Sequence, residues 1–301
     1  MNVRFLLSSN LNNLRTAISG KRSATVEAEY GDDCVEGSVL TMAHHGPREH
    51  QPAPCSYKNG CLDLSKSEIE VVGLSHIDLD ALAGCAAILG TKSEVEGFWK
   101  LVEFIELNGL HKIEKSTADE QDIKRFYAFS AWFKENKVRP NKDGSVSDVT
   151  DQVLKGIETI NKVLKDDPEL LQAGEKYYAS LNKINKDSFV EYKEGVILRV
   201  SNYEISGYLY TTPDGKQAGA IVKFNPDDET IAVSFADKPK KITAPDILQR
   251  LFGKDAGGHI DRAGSPRNVC MSQGDLLLAY NATIEAVKVN SYHRLIDPLK
   301  K

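Results

Sequence analysis

Short apolar runs bounded by turn residues alternate with segments of helical periodicity in the first part of the chain. Ile69 to Leu74 has the length of a buried strand, and the small-residue segment Ala81 to Leu89 predicts a helix that ends at Gly90. Val39 to Ala43 and Ala24 to Tyr30 predict two more strands. This alternation favours an α/β domain with a mainly parallel sheet flanked by helices.

Amphipathic helices dominate the middle of the chain, and short strands dominate its end. Apolar residues recur at helical spacing in four segments: Ser93 to Leu107, Ala118 to Lys134, Val149 to Leu164 and Glu169 to Ile184. After Gly195, turn residues separate predicted strands at Val196 to Val200, Gly207 to Thr211, Ala218 to Phe224 and Ile231 to Ser234. A helix at Ala244 to Phe252 follows, and Ser272 to Val287 predicts a helix or a strand pair. We expect a first domain over residues 1–165, a helical linker over 166–192 and a smaller α+β domain over 193–301.

Composition narrows the class of protein and its partners. The 301 residues are 41% hydrophobic and 27% charged, which is typical of a globular protein. A net charge of -5 argues against an extended nucleic-acid groove, so a nucleic-acid substrate should be small. Five cysteines without a CxxC pair indicate a reducing compartment, and the apolar patch Val3 to Leu7 is too short for a signal or membrane segment. We therefore expect a cytoplasmic protein that does not bind membranes.

His76, Asp78 and Asp80 alternate directly after the strand that ends at Leu74. In extended chain their side chains point the same way, and converging carboxylates repel one another unless a cation lies among them. Imidazole together with carboxylate suits a divalent metal, and open α/β sheets place their sites at the carboxyl ends of strands. A metal site is the first hypothesis. The alternative is a helix N-cap at Asp78 or Asp80, and one residue can do both.

Three further histidines are candidate ligands. His44 and His45 end the strand Val39 to Ala43. Neighbouring residues of an extended chain face opposite sides, so we expect one of the two imidazoles at the site unless the backbone turns there. His111 follows a predicted helix, where the alternative role is a cation at the helix C-terminus.

A second candidate site lies in the segment from Gly257 to Arg267. Gly257 and Gly258 let the backbone approach a ligand closely, while Arg262 and Arg267 can bind phosphate through their guanidinium forks. His259 lies between these groups. The segment is predicted to bind phosphate, and the alternative is an ordinary surface loop.

These two segments resemble the motifs of one enzyme family. His76-x-Asp78-x-Asp80-Ala81 resembles the first motif of the DHH-family phosphoesterases, and Ala256-Gly257-Gly258-His259 with Ala263-Gly264-Ser265 resembles the glycine-histidine motif of the DHH-associated C-terminal domain. The motifs occur in the family's order, and the resemblance extends from about Val39 onward. It implies a cleft between two domains in which two divalent ions, Mn²⁺ or Mg²⁺, support hydrolysis of phosphoesters or phosphoanhydrides.

The resemblance also implies residue roles. The metal ligands would be His76, Asp78 and Asp80, with the shell completed from His111, Glu106, His44 and His45. Asp78, Asp80 and His111 would be catalytic. Substrate phosphate or nucleotide would be held by Gly257, Gly258, His259, Arg262 and Arg267. The family's Asp-His-His tripeptide is absent from this sequence.

The expected function is hydrolysis of a small phosphorylated substrate such as a short oligonucleotide, a nucleoside bisphosphate or a cyclic dinucleotide. Because the tripeptide is absent, one alternative is a nucleotide-binding protein that has lost catalysis. A second is a pyrophosphate or polyphosphate hydrolase. A hydrolase of the metallo-β-lactamase or HD type ranks last, since neither type explains the glycine-histidine segment. The sequence does not decide the oligomeric state, and a homodimer is one alternative.

Overall fold

A computed structural model describes residues 3–62, 69–202, 207–266 and 269–296. The chain divides into two compact units. The first comprises Met1–Gly109 and Ile113–Tyr178, and the second comprises Leu110–Lys112 and Ala179–Lys301. The boundary near Tyr178 falls inside one helix, and the predicted linker over 166–192 covers this helix and most of the strand that follows it. The predicted α/β class is confirmed, with a mostly parallel sheet in the first unit and a separate sheet-rich region after it.

The first unit is built on a five-stranded sheet. The sheet contains β1 (Arg4–Leu7), β2 (Ser23–Val26), β5 (Leu40–Met42), β6 (Val71–Leu74) and β7 (Ser147–Asp148). A separate hairpin is formed by β3 (Glu29–Tyr30) and β4 (Asp33–Cys34). The sheet order is β5-β2-β6-β1-β7, and only β7 is antiparallel to its neighbour. Val26 pairs with Met42 on one side and with Leu74 on the other. Three chain segments therefore leave the sheet side by side at its carboxyl edge.

Helices α1 (Leu11–Ile18), α2 (Leu79–Leu89) and α5 (Thr150–Leu164) pack on this sheet. Helices α3 (Glu96–Asn108) and α4 (Glu120–Asn136) pack on other helices, and α6 (Pro168–Ser188) begins in the first unit and ends in the second. Short 3-10 helices occur at Gly46–Arg48, Pro54–Ser56 and Leu110–Lys115. Helix α2 is buried along nearly its whole length because its small side chains allow β2, α3, α5 and the Pro54–Ser56 turn to contact it. No helix of the described ranges combines the length and apolar content that a membrane crossing requires.

The second unit contains a mixed six-stranded sheet and two helices. Its elements are β8 (Phe189–Lys193), β9 (Val196–Val200), β10 (Ala220–Asn225), β11 (Thr230–Phe235), α7 (Ala244–Phe252), β12 (Gly257–His259), β13 (Arg262–Gly264) and α8 (Gln273–Ile296). The sheet order is β12-β13-β11-β10-β9-β8, in which β9 and β10 are parallel and the other neighbours antiparallel. Its core lies between the sheet and the helices α7 and α8.

The structure corrects several predicted elements. Val3 to Leu7 contains strand β1, which pairs with β6 and β7. The strand predicted at Gly207 to Thr211 is wrong. Residues Gly207–Tyr210 form a 3-10 helix, and the carbonyls of Leu209 and Thr211 accept hydrogen bonds from the Arg199 guanidinium. Residues 257–264 form the hairpin β12-β13 rather than an open loop, and the closing segment is a single helix.

Candidate metal centre

Glu27 is the first residue after β2 and was not predicted as a site residue. Its backbone has a left-handed φ of 50°, which turns the chain out of the strand. Its N–H donates to the Met42 carbonyl at 2.9 Å, and its carbonyl accepts from the Ser75 N–H at 3.4 Å. A left-handed φ costs energy in a non-glycine residue and occurs most often where function requires it. These bonds hold Glu27 between the ends of β5 and β6, with its side chain only 1% exposed.

Three imidazoles surround the Glu27 carboxylate. Oε1 lies 3.2 Å from Nε2 of His44, and Oε2 lies 3.1 Å from Nε2 of His45 and 3.7 Å from Nε2 of His76. One ligand atom each from Glu27, His44 and His45 lies within 4.8 Å of the others, which suits a shared ion. We name the complete group the acid–histidine cluster: Glu27, His44, His45, His76, Asp78, Asp80 and Glu106.

Both His44 and His45 lie in the cluster, because the backbone turns there, which is the exception that the sequence analysis allowed. The chain leaves extended conformation after Met42 and enters a 3-10 helix at Gly46, which brings the two ring centroids to 4.1 Å. The carboxylate of Glu29 accepts the backbone N–H of His44 at 3.2 Å and that of His45 at 3.0 Å. Glu29 therefore fixes the turn that directs both imidazoles towards Glu27.

Asp78 is the N-cap of α2, and its role as a metal ligand stays a prediction. Its Oδ1 accepts the Ala81 N–H at 2.8 Å as the N-cap of α2, and its Oδ2 lies 3.2 Å from Nε2 of His76. Asp80 lies in the first turn of the helix, so the predicted alternation of His76, Asp78 and Asp80 in extended chain is wrong. Helix α2 begins at Leu79, and the helical twist directs Asp80 inward instead.

Asp80 reaches the cluster from this buried position. Its Oδ1 accepts the Cys55 N–H at 2.7 Å, while its Oδ2 lies 3.5 Å from Nε2 of His44. Glu106, on α3, completes the group, because its Oε1 lies 3.9 Å from Nε2 of both His44 and His45. A cavity of about 540 Å³ adjoins the cluster and is lined by His44, His45, Glu49, His50, Glu106 and Leu107.

Charge compensation dominates the electrostatics of the cluster. Burial opposes ionisation of Glu27, but His44 and His45 outweigh it and lower the pKa of Glu27 to about 2. Burial likewise disfavours the charged form of His44, but Asp80 and Glu27 outweigh it and raise its pKa to about 10. Burial, together with the charges of Asp78 and Asp80, raises the pKa of Glu106 to about 7. The carboxylates therefore demand positive charge, which protons on the imidazoles or a cation can supply.

Three buried atoms of the cluster form no hydrogen bond with any described residue and are candidate ligand atoms for a cation. Oε1 of Glu27, Nε2 of His44 and Oδ2 of Asp80 have no hydrogen-bond partner among the described residues. Such atoms are costly to bury, and natural proteins rarely leave them unsatisfied. The separations of 3.2 and 3.5 Å from His44 to the two oxygens are close to the roughly 3.0–3.4 Å expected between ligands that share one ion at about 2.1 Å. The residues present therefore fit a divalent cation.

The predicted substrate-binding residues lie in the second unit. Gly257 to His259 form β12, and Arg262 begins β13 opposite His259. Gly258 has a φ of 156°, and a Cβ there would meet Cα of Ala263 at 2.8 Å, so the close pairing of the hairpin already requires glycine. His259 and Arg262 are exposed, and their binding of substrate stays a prediction.

Two other predicted site residues, Arg267 and His111, are not part of the acid–histidine cluster as it is described. Arg267 lies outside the described residues. His111 belongs to the 3-10 helix Leu110–Lys115 and to the second unit, where its ring lies 5.0 Å from the ring of Tyr210. Its predicted role as a metal ligand stays a prediction. The sequence signal that could have revealed Glu27 is a single acid within the otherwise apolar segment Val26 to Ala28.

Comparisons with known proteins identify no family for this chain. No family model matches it, and no curated protein matches it. Among solved structures, it matches the crystal structure of an uncharacterized protein from Helicobacter pylori G27 at 10% sequence identity, over 92% of this chain and 87% of that chain. The TM-score of 0.20 is too low to support a conclusion about fold or function.

Proposed function

We propose that the protein is a divalent-metal-dependent phosphoesterase that acts on a small phosphorylated or nucleotide substrate, with Mn²⁺ or Mg²⁺ as its metal. One observation carries the proposal: buried atoms of Glu27, His44 and Asp80 that form no hydrogen bond with any described residue lie close together at the carboxyl edge of a mainly parallel sheet. Sites of open α/β sheets occur at this edge. The motif His76-x-Asp78-x-Asp80, which resembles that of DHH-family phosphoesterases, supports a phosphoester as the substrate.

Distance and burial divide the residues of the cluster by role. Glu27, His44 and His45, whose ligand atoms lie within 4.8 Å of one another, would hold the ion, and the buried Asp80 would support it beside His44. His76 is about half exposed and Asp78 and Glu106 are partly exposed, so these three would complete the shell or face the substrate. When bound, the metal would lower the pKa of a coordinated water and neutralise charge on the phosphoryl oxygens.

Glu106 is the residue best placed to move a proton. Its Oε1 lies on the wall of the cavity beside His44 and His45, where it can accept a proton from the attacking water. His45 can orient a phosphoryl oxygen by donating a hydrogen bond from its exposed ring. A cavity of about 540 Å³ is in the size range of small-molecule sites and suits a nucleotide-sized group better than a polymer.

The test is a substrate screen of the full chain after removal of metal with a chelator and reloading with Mn²⁺ or Mg²⁺. The panel contains short oligonucleotides, cyclic dinucleotides, nucleoside bisphosphates and pyrophosphate. We expect metal-dependent hydrolysis of one phosphoester class, lost in Asp80→Asn and retained in Asp33→Asn, which changes an exposed acid of β4 in the same way. Equal activity of the chelated and reloaded protein would refute the proposal.

The absent Asp-His-His tripeptide favours one second candidate, a nucleotide-binding protein without turnover. The same screen separates the two functions when binding is measured beside hydrolysis. Saturable nucleotide binding without hydrolysis under any metal would support the second candidate. Cleavage of pyrophosphate alone would instead assign the protein to the phosphoanhydride hydrolases.

A further inference from the structure

Lys92 is a buried cation behind the metal centre. It follows α2 and is only 8% exposed. Its Nζ donates hydrogen bonds to the carbonyls of Cys55 and Tyr57, and lies 4.6 Å from the ring centroid of Trp99. Among the residues that the structure describes, no carboxylate lies within 4.0 Å of this ammonium. Burying a lysine without a paired anion is costly, so its position requires an explanation.

The explanation lies in the turn that Lys92 contacts. Cys55 is part of the 3-10 helix Pro54–Ser56, and its two backbone groups have different partners. Its N–H donates to Oδ1 of Asp80 at 2.7 Å, while its carbonyl accepts from Lys92. One residue therefore connects the buried ammonium to a carboxylate of the acid–histidine cluster.

A cavity of about 520 Å³ lies beside Lys92, and three of the residues that line it, Asn59, Lys92 and Trp99, form hydrogen bonds within the protein. The Lys92 N–H donates to Oδ1 of Asn59 at 3.0 Å, and Nδ2 of Asn59 donates to the Lys92 carbonyl at 2.7 Å. Nε1 of Trp99 donates to the Ser93 carbonyl at 2.6 Å. These hydrogen bonds stabilise the segment from Lys92 to Trp99 and occupy polar groups that a ligand would otherwise bind.

We propose that Lys92 is a positioning residue for the metal centre. By holding the Cys55 carbonyl, it fixes the turn so that the Cys55 N–H binds one oxygen of Asp80 and leaves Oδ2 directed at His44. Its positive charge also offsets part of the negative charge of the cluster. Outer partners of metal ligands act in this way on ligand orientation and affinity. The inference rests on the metal site of the proposed function and is independent of the substrate.

The test compares metal binding by Lys92→Met with binding by two controls. Methionine keeps most of the length and packing of lysine but donates no hydrogen bond and carries no charge. Lys100→Met changes an exposed lysine that lines the same cavity and pairs with Glu96. Ile160→Val removes one buried methylene group from α5 in the same unit and shows what lost stability alone does to metal affinity.

The readouts are the Mn²⁺ dissociation constant by calorimetry and the visible spectrum of bound Co²⁺, which reports the ligand field of the metal. We expect Lys92→Met to bind Mn²⁺ about 10–100-fold more weakly with an altered Co²⁺ spectrum. Both controls should keep the wild-type spectrum and an affinity within a few-fold. If Lys92→Met does not fold, Lys92→Leu, which likewise has neither a donor nor a charge, is measured by the same criteria.

The outcomes separate this inference from the proposed function. Wild-type affinity and spectrum in a folded Lys92 variant would refute the positioning role alone, as would equal losses in Ile160→Val. Failure of the wild-type protein to bind Mn²⁺ or Co²⁺ would refute the metal centre itself. A protein that binds metal but hydrolyses no substrate would contradict the proposed activity, while the Lys92 comparison would still decide the inference.

Discussion

Oε1 of Glu27 lies 3.2 Å from Nε2 of His44, and neither buried atom has a hydrogen-bond partner among the described residues. The two residues follow strands β2 and β5, which pair in parallel with Val26 opposite Met42. This pairing brings a carboxylate and an imidazole together at one sheet edge with their free ligand atoms facing each other. A carboxylate oxygen and an imidazole nitrogen at this separation suit a divalent cation, which is the metal that we propose.

Replacement of Glu27 should remove the metal. Glu27→Gln keeps the size of the side chain but not its charge. Loss of a residue that only supports a metal ligand weakens metal binding by up to about 100-fold, so loss of Glu27 as a ligand should weaken Mn²⁺ binding by at least that factor. The matched control is Glu36→Gln, an exposed acid in the same unit. Calorimetric titration of the chelated proteins measures the difference. Equal affinities of the two variants would place the metal elsewhere.

Gly84→Ala should destabilise the first unit because α2 is tightly packed at this glycine. A Cβ there would lie 2.8 Å from Cβ of Pro54 and 2.9 Å from Cγ1 of Val26. We expect a loss of about 1–3 kcal/mol in the free energy of unfolding, measured by urea denaturation. Gly274→Ala is the control, because a Cβ at that helical position meets only Oγ of Ser272 at 3.5 Å. Equal stabilities of the two variants would contradict this account of the packing.

The pair of Arg125 and Asp166 should make stability depend on pH. Nε and Nη2 of Arg125 donate to the two oxygens of Asp166 at 2.8 and 2.9 Å, and this pairing lowers the pKa of Asp166. A lowered folded-state pKa stabilises the protein above the unfolded pKa, and the gain is lost as pH falls through the folded value. Asp166→Asn should therefore cost roughly 0.5 kcal/mol at neutral pH and almost nothing at acid pH.

Urea denaturation at several pH values measures the effect of this pair. Asparagine tolerates the left-handed φ of 61° at position 166, so the substitution tests the charge rather than the backbone. Asp33→Asn, at an exposed acid, is the control. A difference between Asp166→Asn and the wild type that stays constant across the pH range would contradict the role of the charge.

Arg199 should be indispensable for the second unit. It is fully buried, and its guanidinium donates to the carbonyls of Leu209, Asn185 and Thr211 and to Oγ of Ser188. Arg199→Met would leave several of these acceptors without a donor, so we expect a loss of at least about 3 kcal/mol in the free energy of unfolding.

Hydrogen exchange of the β9 amides together with urea denaturation measures this loss. Arg250→Met, which changes an exposed arginine of α7, should stay within about 0.5 kcal/mol of the wild type. Similar stabilities of the two variants would show that other donors replace Arg199.

Local patterns were sufficient for many elements and for part of the site. The strand at Val196 to Val200 and the helix at Ala244 to Phe252 have the predicted bounds, because turn residues and apolar periodicity mark both ends of each. The predicted ligands His76, Asp78 and Asp80 are all in the acid–histidine cluster. They could be predicted because imidazole and carboxylate are side-chain types that bind metals. Strand β1 was missed because its partners β6 and β7 lie far along the chain.

Only the tertiary structure could reveal Glu27 and the turn that brings both candidate ligands His44 and His45 to one site. Glu27 belongs to the cluster because β2 lies between β5 and β6, and no local pattern encodes that strand order. The two histidines share one site because the backbone bends after β5, which overrides the rule for extended chain. The sequence determined which groups could bind a metal, whereas long-range strand pairing decided which of them meet, because pairing depends on burial across the whole sheet.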